Sequence, residues 1–542
     1  MSQKNYFKGE NGLSRQKAAR NERGQILPFV AILMTFFLCM CGFVIDIGRV
    51  YVSYQQLLAS TDAAALAGGE ALGEANSTVA EVTAAVKKYS SASGGVNPSG
   101  MMTKLVVKPY VGCITGLSPN IPCYGAGSYN AVQVVQTASV PMTFANFFGA
   151  HPVALSATAT ASMSGAAATP YNVAIIVDTT SSMSDPDTGS TCTTTRLACA
   201  LGGVATLMGE LAPCPNSGSC SISNNVSTSA VDRVALFTFP GMTTATSAND
   251  TTCPTSNPNT ESVYTFPSKT VSATASSNTT LTTTTTTTTT KNGKKTTTTT
   301  TTDIPMTYQI TNGLGDAHGF LSDYRTSDTA TTLNASSPLS IAIGSGKSGC
   351  KGVADPGGAG TFYAAVIYAA TDALLAEQAA NPTAQNVIII ISDGDASSTQ
   401  AQMAGGSGAT GTNTGGAGNA TSNGTYPSWK NECHQAVTAA AAAAALGIRV
   451  YSVAYGAESS GCSTDSPAIS PCQTMKGIAS NPGYFFSDYA SSGGGTDTSC
   501  AGSGASTTSI NQIFQYIYYS LGHGRLLSNA APPGGSVSWT AE

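Results

Sequence analysis

Two segments of this chain carry carboxylates and hydroxyls in an order that could hold a hard metal ion. The first is YNVAIIVD followed by TTSSMSD, an apolar run that ends on Asp178 and continues with Thr180 and Ser182. The second is VIIIISDGD, a buried-strand pattern that ends on Asp393, with Gly394 and Asp395 behind it. Between them lies GGAGTFYAAVIYAATDALL, a glycine loop from which Thr361 enters a helical pattern. Oxygen ligands of this type suit Mg²⁺ first, with Mn²⁺ or Ca²⁺ as the other candidates. Taken alone, D-x-[ST]-x-S is a weak signal in a chain rich in Ser and Thr, and it also reads as a turn with a helix cap.

Other chemistry finds little support. The four histidines (151, 318, 434 and 523) form no H-E-x-x-H, and there is no G-x-S-x-G elbow, so the expectation is a non-enzymatic protein. GSGKSG at 344–349 resembles part of a phosphate loop, but the position of its first glycine is Ile341 and no apolar strand precedes it, so no nucleotide is expected. Asp185 and Asp187 stand in a Pro-containing turn and read as solvent-facing. The net charge of -5, with no basic stretch beyond the N-terminus, gives no footprint for nucleic acid.

The elements that must position these side chains alternate between strands and helices. RVALFTF (233–239) reads as a strand, an Ala-rich helix ends at Leu446, and GIRVYSVAYG (447–456) is the next strand. A short helix near 473–480, a strand YFFS and a last helix INQIFQYIYYSL follow. Such alternation predicts an α/β fold with a doubly wound sheet, whose ligands bind at the carboxyl ends of the strands.

In this order the carboxylate with two hydroxyls, the loop threonine and the strand-end aspartate resemble the metal-ion-dependent adhesion site of von Willebrand factor A (vWA) domains, over residues 171–525. The resemblance implies a Rossmann-like domain in which Thr180 and Ser182 give direct hydroxyl ligands and Thr361 a third, directly or through water. Asp178 would hold the hydroxyls and Asp393 a metal-bound water, leaving one position open for a carboxylate of a protein partner. This chain departs from the family's D-x-S-G-S at Thr180 and Ser181.

Three insertions are expected in that domain: 184–232 with four cysteines around a helix, 240–355, and a Gly/Ser/Thr-rich loop at 396–428 near the metal face. Within the second, the threonine runs of 278–310 flank Asn292-Gly293, which predicts a protruding two-stranded hairpin with lysines at its tip. Residues 526–542 read as a C-terminal tail.

The N-terminal half of the problem is a membrane. Residues 26–45 are uncharged for twenty residues, enough for a helix to cross about 30 Å of hydrocarbon. The basic tail of 1–25 places the N-terminus in the cytoplasm. The helical pattern continues past residue 50, and period-2 strands fill 100–165 around a short FANFFGA helix. R-G-Q at 23–25, VIDIGRVY and ASTDAAALAGGEAL resemble the TadE/TadG-like proteins of Flp (tight adherence) pilus assembly, with a small α/β pilin-like module over 46–165. The glutamate expected a few residues after Gly24 in a pilin precursor is missing, which favours a retained single-pass anchor in a bacterial inner membrane. Fourteen cysteines, two of them inside the apolar run, point to disulfides in a periplasmic or extracellular compartment. Proximity suggests the pairs 113–123, 192–199, 214–220 and 462–472. Together these features predict a pilus-assembly or pilus-associated protein with metal-dependent binding, and alternatively an envelope scaffold whose vWA fold works without metal.

Overall fold

A computed structural model describes residues 26–73, 78–115, 117, 121, 123, 129–163, 170–187, 192–215, 219–239, 274–275, 279–280, 282–291, 294–303, 308–311, 314–346, 352–353, 360–400, 421–489, 497–500, 509–522, 524–527 and 537–541. The basic tail, Asn292-Gly293, most of the loop expected at 396–428, and Cys253 and Cys350 lie outside them.

Helix α1 (Ile26–Gly73) is a single 48-residue helix, about 70 Å long at 1.5 Å per residue. Its apolar residues from Leu27 to Ile47 are largely exposed, and by length and composition this helix can cross a membrane. Further on, Leu57, Ala64, Ala65 and Leu72 recur at helical spacing and are fully buried. Ala64, Ala65 and Leu72 pack with α2 (Val79–Tyr89) on a sheet of strands β1 (Thr103–Ile114), β2 (Ala131–Val140) and β3 (Val153–Ser162), and Leu57 packs with Ala138, Val140 and Ala157 of the same sheet. Glycine at 69 lets α1 approach this sheet, because a Cβ there would come within 2.9 Å of the Ser162 carbonyl oxygen.

The second unit is built on β4 (Tyr171–Asp178), β5 (Arg233–Phe239), β8 (Gln385–Ser392), β9 (Arg449–Ala454) and β10 (Phe485–Ser487), all parallel, in the order β10-β9-β8-β4-β5. Further strands include a hairpin, β6 (Thr282–Lys291) and β7 (Lys294–Asp303), two C-terminal strands, β11 (Arg525–Leu527) and β12 (Val537–Ala541), and two pairs of two-residue strands, Ile222–Ser223 with Val226–Ser227 and Thr274–Ala275 with Thr279–Thr280. Alternation along β4 sends Ala174 and Ile176 to one face and Val173, Ile175 and Val177 to the other, and all five are fully buried. Helices α4 (Tyr363–Ala380), α5 (Glu432–Ala445) and α6 (Pro471–Ile478) cover the first face. Helices α3 (Arg196–Glu210) and α7 (Ile510–Leu521) cover the second. A strand buried on both faces needs a continuous apolar run, which YNVAIIVD and QNVIIIIS supply.

Several expectations meet a different outcome. The stretch 184–232 holds α3, whose Leu197, Leu201, Val204 and Leu207 are core residues of the sheet rather than an added layer. Residues of the expected tail join the antiparallel sheet, whose order is β11-β3-β2-β1-β12. Cysteines 113–123, 192–199 and 214–220 pair as neighbours, but Cys462 bonds Cys433 and Cys472 bonds Cys500. The physical reason is that Cys433 opens α5 and Cys472 opens α6, so each faces a loop from elsewhere in the chain. The threonine hairpin forms, with Lys291 opposite Lys294 and Thr282 opposite Asp303, while the expected turn at Asn292-Gly293 lies outside the described residues.

Candidate functional site

The order of the parallel strands contains one reversal. From β4 the chain goes to its neighbour β5 on one side, then crosses back to β8 on the other. At such a switch point the loops leaving two adjacent strands splay apart and leave a crevice at their carboxyl ends. Asp178 is the last residue of β4, and Asp393 follows the last residue of β8.

The loop after β4 is shaped by Asp178. Its Oδ1 accepts from the Thr180 amide at 2.8 Å and from the Thr180 hydroxyl at 2.6 Å, and its Oδ2 accepts from the Ser392 hydroxyl at 2.6 Å. The next residues turn as a 3-10 helix, Ser181–Ser184, which brings the Ser182 hydroxyl to 3.2 Å from that of Thr180. From the opposite wall, just before α4, the Thr361 hydroxyl lies 3.4 Å from Thr180 Oγ1. All five candidate residues therefore converge: Thr180, Ser182, Thr361 and Asp393 line one open cavity of about 300 Å³, and Asp178 is buried behind it, bonded to Thr180. Ser181, which stands where the family has glycine, is exposed and not among the residues with positive φ, so its hydroxymethyl group fits without strain.

The electrostatics of the cavity are unbalanced toward negative charge. Burial, then the charge of Asp393, pushes the Asp178 carboxyl up to about 8, against the pull of Ser392 and Thr180. Burial also raises Asp393, which Ser182 and the more distant Arg196 draw back down. Asp393 Oδ1 is buried with no hydrogen-bond partner. An unpaired buried carboxylate oxygen costs about 1–3 kcal/mol or more unless something satisfies it.

Other residues at the site have no counterpart in the motif. Ser392 donates to Asp178 and accepts from the Gly394 amide at 3.1 Å, and the buried Tyr363 hydroxyl lies 2.6 Å from it. Gly394 has φ +91° and stands so close to α6 that a Cβ would meet the Pro471 carbonyl oxygen at 2.5 Å. Asp395 and Glu458 extend the rim, and Asp395 accepts from the Cys462 amide at 2.7 Å. Arg196, on α3, reaches Glu458 at 3.8 Å. A serine inside the run IIIIS was the available signal for Ser392, because a hydroxyl in a fully buried strand must find a partner. Nothing local to the sequence marks Arg196 or Glu458.

Compared with known proteins, residues 24–75 match the family described as putative Flp pilus-assembly TadE/G-like, and residues 57–161 the one described as putative Tad-like Flp pilus-assembly. Both matches fall on α1, α2 and the antiparallel sheet, and they end before β4 begins. No curated protein matches the chain. A solved structure that does is the pilus adhesin SpaC from Lactobacillus rhamnosus GG in its open conformation, at 10% identity and a TM-score of 0.27. The match covers 73% of this chain and 33% of that one, and likeness at that score carries no argument.

Proposed function

We propose that this chain, similar over residues 24–161 to Tad-type Flp pilus-assembly proteins, is a pilus-associated protein held in the inner membrane by α1. Its N-terminus lies in the cytoplasm and the rest of the chain in the periplasm or beyond. On this reading the parallel-sheet unit is a vWA domain that binds a protein partner through a divalent cation, Mg²⁺ before Mn²⁺ or Ca²⁺. The observation that carries the metal reading is the buried, unpartnered Asp393 Oδ1 in the same cavity as the hydroxyls of Thr180, Ser182 and Thr361. These three hydroxyls would hold the ion, Asp178 orients the Thr180 hydroxyl by accepting its hydrogen bond, and Asp393 supplies the second charge. A cation bound there offers a partner's carboxylate an electrophilic site. The role on this reading is binding rather than catalysis, as the similarity to pilus-assembly proteins suggests. Disulfides on the C-terminal side of α1 support the oxidising compartment.

Titration calorimetry of the full chain in detergent with MgCl₂ or MnCl₂ tests the metal reading. The parent protein binds one ion, and Asp393→Asn and Ser182→Ala bind it at least tenfold more weakly. Equal affinity in the parent and both variants would overturn it. Pilus assembly that proceeds unchanged in chelator would favour the scaffold reading.

A further inference from the structure

Between β2 and β3 the chain makes a single turn of 3-10 helix, Ala145–Phe148, that the proposed function does not use. Phe147 is 87% exposed, Phe148 62% and Phe144 46%, three large apolar rings within five residues. Neighbouring apolar side chains left open to this extent mark a contact surface.

The turn is fastened to α1 at a fixed height. The Asp46 carboxylate accepts from the backbone amides of Thr143 at 2.9 Å, Phe144 at 2.8 Å and Ala145 at 2.7 Å, and Arg49 donates to the Thr143 hydroxyl. The Phe148 ring stacks on Phe43, with centroids 6.0 Å apart and planes 20° from parallel. The Phe144 ring lies against Gly42, where a Cβ would meet it at 2.8 Å. Phe43 and Gly42 precede Asp46 by three and four residues, so these rings sit about 4.5–6 Å from the Asp46 level toward the uncharged span.

We propose that this turn is a second membrane contact, in which Phe144, Phe147 and Phe148 enter the outer edge of the bilayer that α1 crosses. The inference rests on reading α1 as a membrane span. Lipid is the occupant the surface fits, because the exposed rings stand beside the exposed apolar residues Val44, Ile45 and Ile47 of α1, at the end of the stretch that can cross a membrane. The groups that must stay at the polar boundary, Asp46 and Arg49, are the ones that clamp the turn. A helix crossing alone is free to tilt and slide, whereas a helix bonded to an embedded turn is held in depth and rotation. The contact therefore sets the pose of the antiparallel sheet above the membrane.

The test uses the full chain in phosphatidylcholine/phosphatidylglycerol vesicles, with lipids brominated either near the headgroup or near the chain end. Phe147→Trp and Leu33→Trp are each compared with the parent, whose Trp429 and Trp539 give the baseline. Trp539 pairs with Gly112, at the end of β1 away from the membrane. The expected result is that the added tryptophan of Phe147→Trp loses most of its emission to shallow bromines, and that of Leu33→Trp to deep ones. Quenching in Leu33→Trp with none in Phe147→Trp overturns the second contact and leaves the span intact. No quenching in Leu33→Trp shows that the span itself is misread. A blue-shifted, unquenched Phe147→Trp signal that moves red on dilution means that a second copy of the chain covers the turn, which also overturns the proposal.

Discussion

Ser392 ties together three parts of the cavity that are far apart in sequence. It donates to Asp178 Oδ2, accepts from the Gly394 amide and contacts Tyr363, so one hydroxyl couples β4, the loop after β8 and α4. Ser392→Ala leaves Asp178 Oδ2 buried without its donor, which should cost about 1–3 kcal/mol of stability. Urea unfolding at fixed Mg²⁺, followed by a probe in the parallel-sheet unit, reads this, and an unchanged midpoint would remove Ser392 from the network. The five candidate residues were legible because a carboxylate at the end of an apolar strand and hydroxyls at alternate positions are local patterns. Ser392 has only the signal of a hydroxyl in a buried run, and Tyr363 and Arg196 have none, because their partners arrive from other elements. A second titratable group lies at the opposite end of the sheet. Asp232 is buried and accepts from the amides of Tyr171 at 3.0 Å and Ala212 at 2.8 Å. Burial pushes it up to about 7 despite those donors and Arg325. A carboxyl raised in the folded state stabilises the fold most below its ordinary range, about pH 4, and that stability is lost as pH rises through about 7. Melting temperature measured from pH 4 to 8 should therefore fall more steeply in the parent than in Asp232→Asn, whose side chain does not ionise. Parallel curves would mean that Asp232 is already ionised in the folded protein at low pH.

At the scale of elements, the disulfides show where reasoning by proximity stops. Three pairs close loops of ten residues or fewer within one segment, and neighbouring position was enough to find them. Cys462 and Cys472 are also ten apart, yet each bonds a partner nearly thirty residues away, at separations of 29 and 28. The cause is helical: the starts of α5 and α6 are fixed by packing on the sheet, and each offers its cysteine to the loop that passes it. The bridge between Cys433 and Cys462 lies behind the candidate site, with the Cys462 sulfur 3.7 Å and the Cys433 sulfur 4.0 Å from the Gly394 carbonyl oxygen. Peptide mapping of the unreduced protein should recover 433–462 and 472–500 and no 462–472 peptide. Replacing Cys433 and Cys462 together by Ser should lower stability by about 2–4 kcal/mol, measured by chemical unfolding. If the doubly replaced protein unfolds at the parent's midpoint, the bridge is not a brace. The hairpin shows the opposite case: two uniform threonine runs say little about register, because every slip presents the same side chains. In the sequence, Asn292-Gly293 is the one signal that favours the observed register, Lys291 opposite Lys294.

At the scale of the whole molecule, the chain leaves the antiparallel sheet after β3, builds the parallel unit, and comes back to it. β11 pairs Leu526 with Ala161 on the outer side of β3, and β12 pairs Trp539 with Gly112 on the outer side of β1. The last strands thus cover part of the outer sides of β3 and β1 and become the edges of a sheet begun more than 400 residues earlier, and the Tyr129 hydroxyl bonds Thr540 at 3.2 Å across that gap. Such long-range pairing has no local signature beyond a few alternating residues, which is why VSWTA read as a tail. It matters because an unpaired edge strand exposes a row of amide and carbonyl groups and invites pairing with other chains. Deleting residues 525–542 should therefore leave α1 and β2 ordered, since β2 keeps both of its neighbours. It should open β1 and β3 to solvent on their outer sides. Hydrogen exchange followed by mass spectrometry should show faster exchange in the segments 103–114 and 153–162, with exchange in β4, β8 and β9 unchanged. Faster exchange throughout the parallel unit would instead mean that the returning strands hold the two units together, and unchanged exchange in β1 and β3 would mean that those edges are covered by something other than β11 and β12.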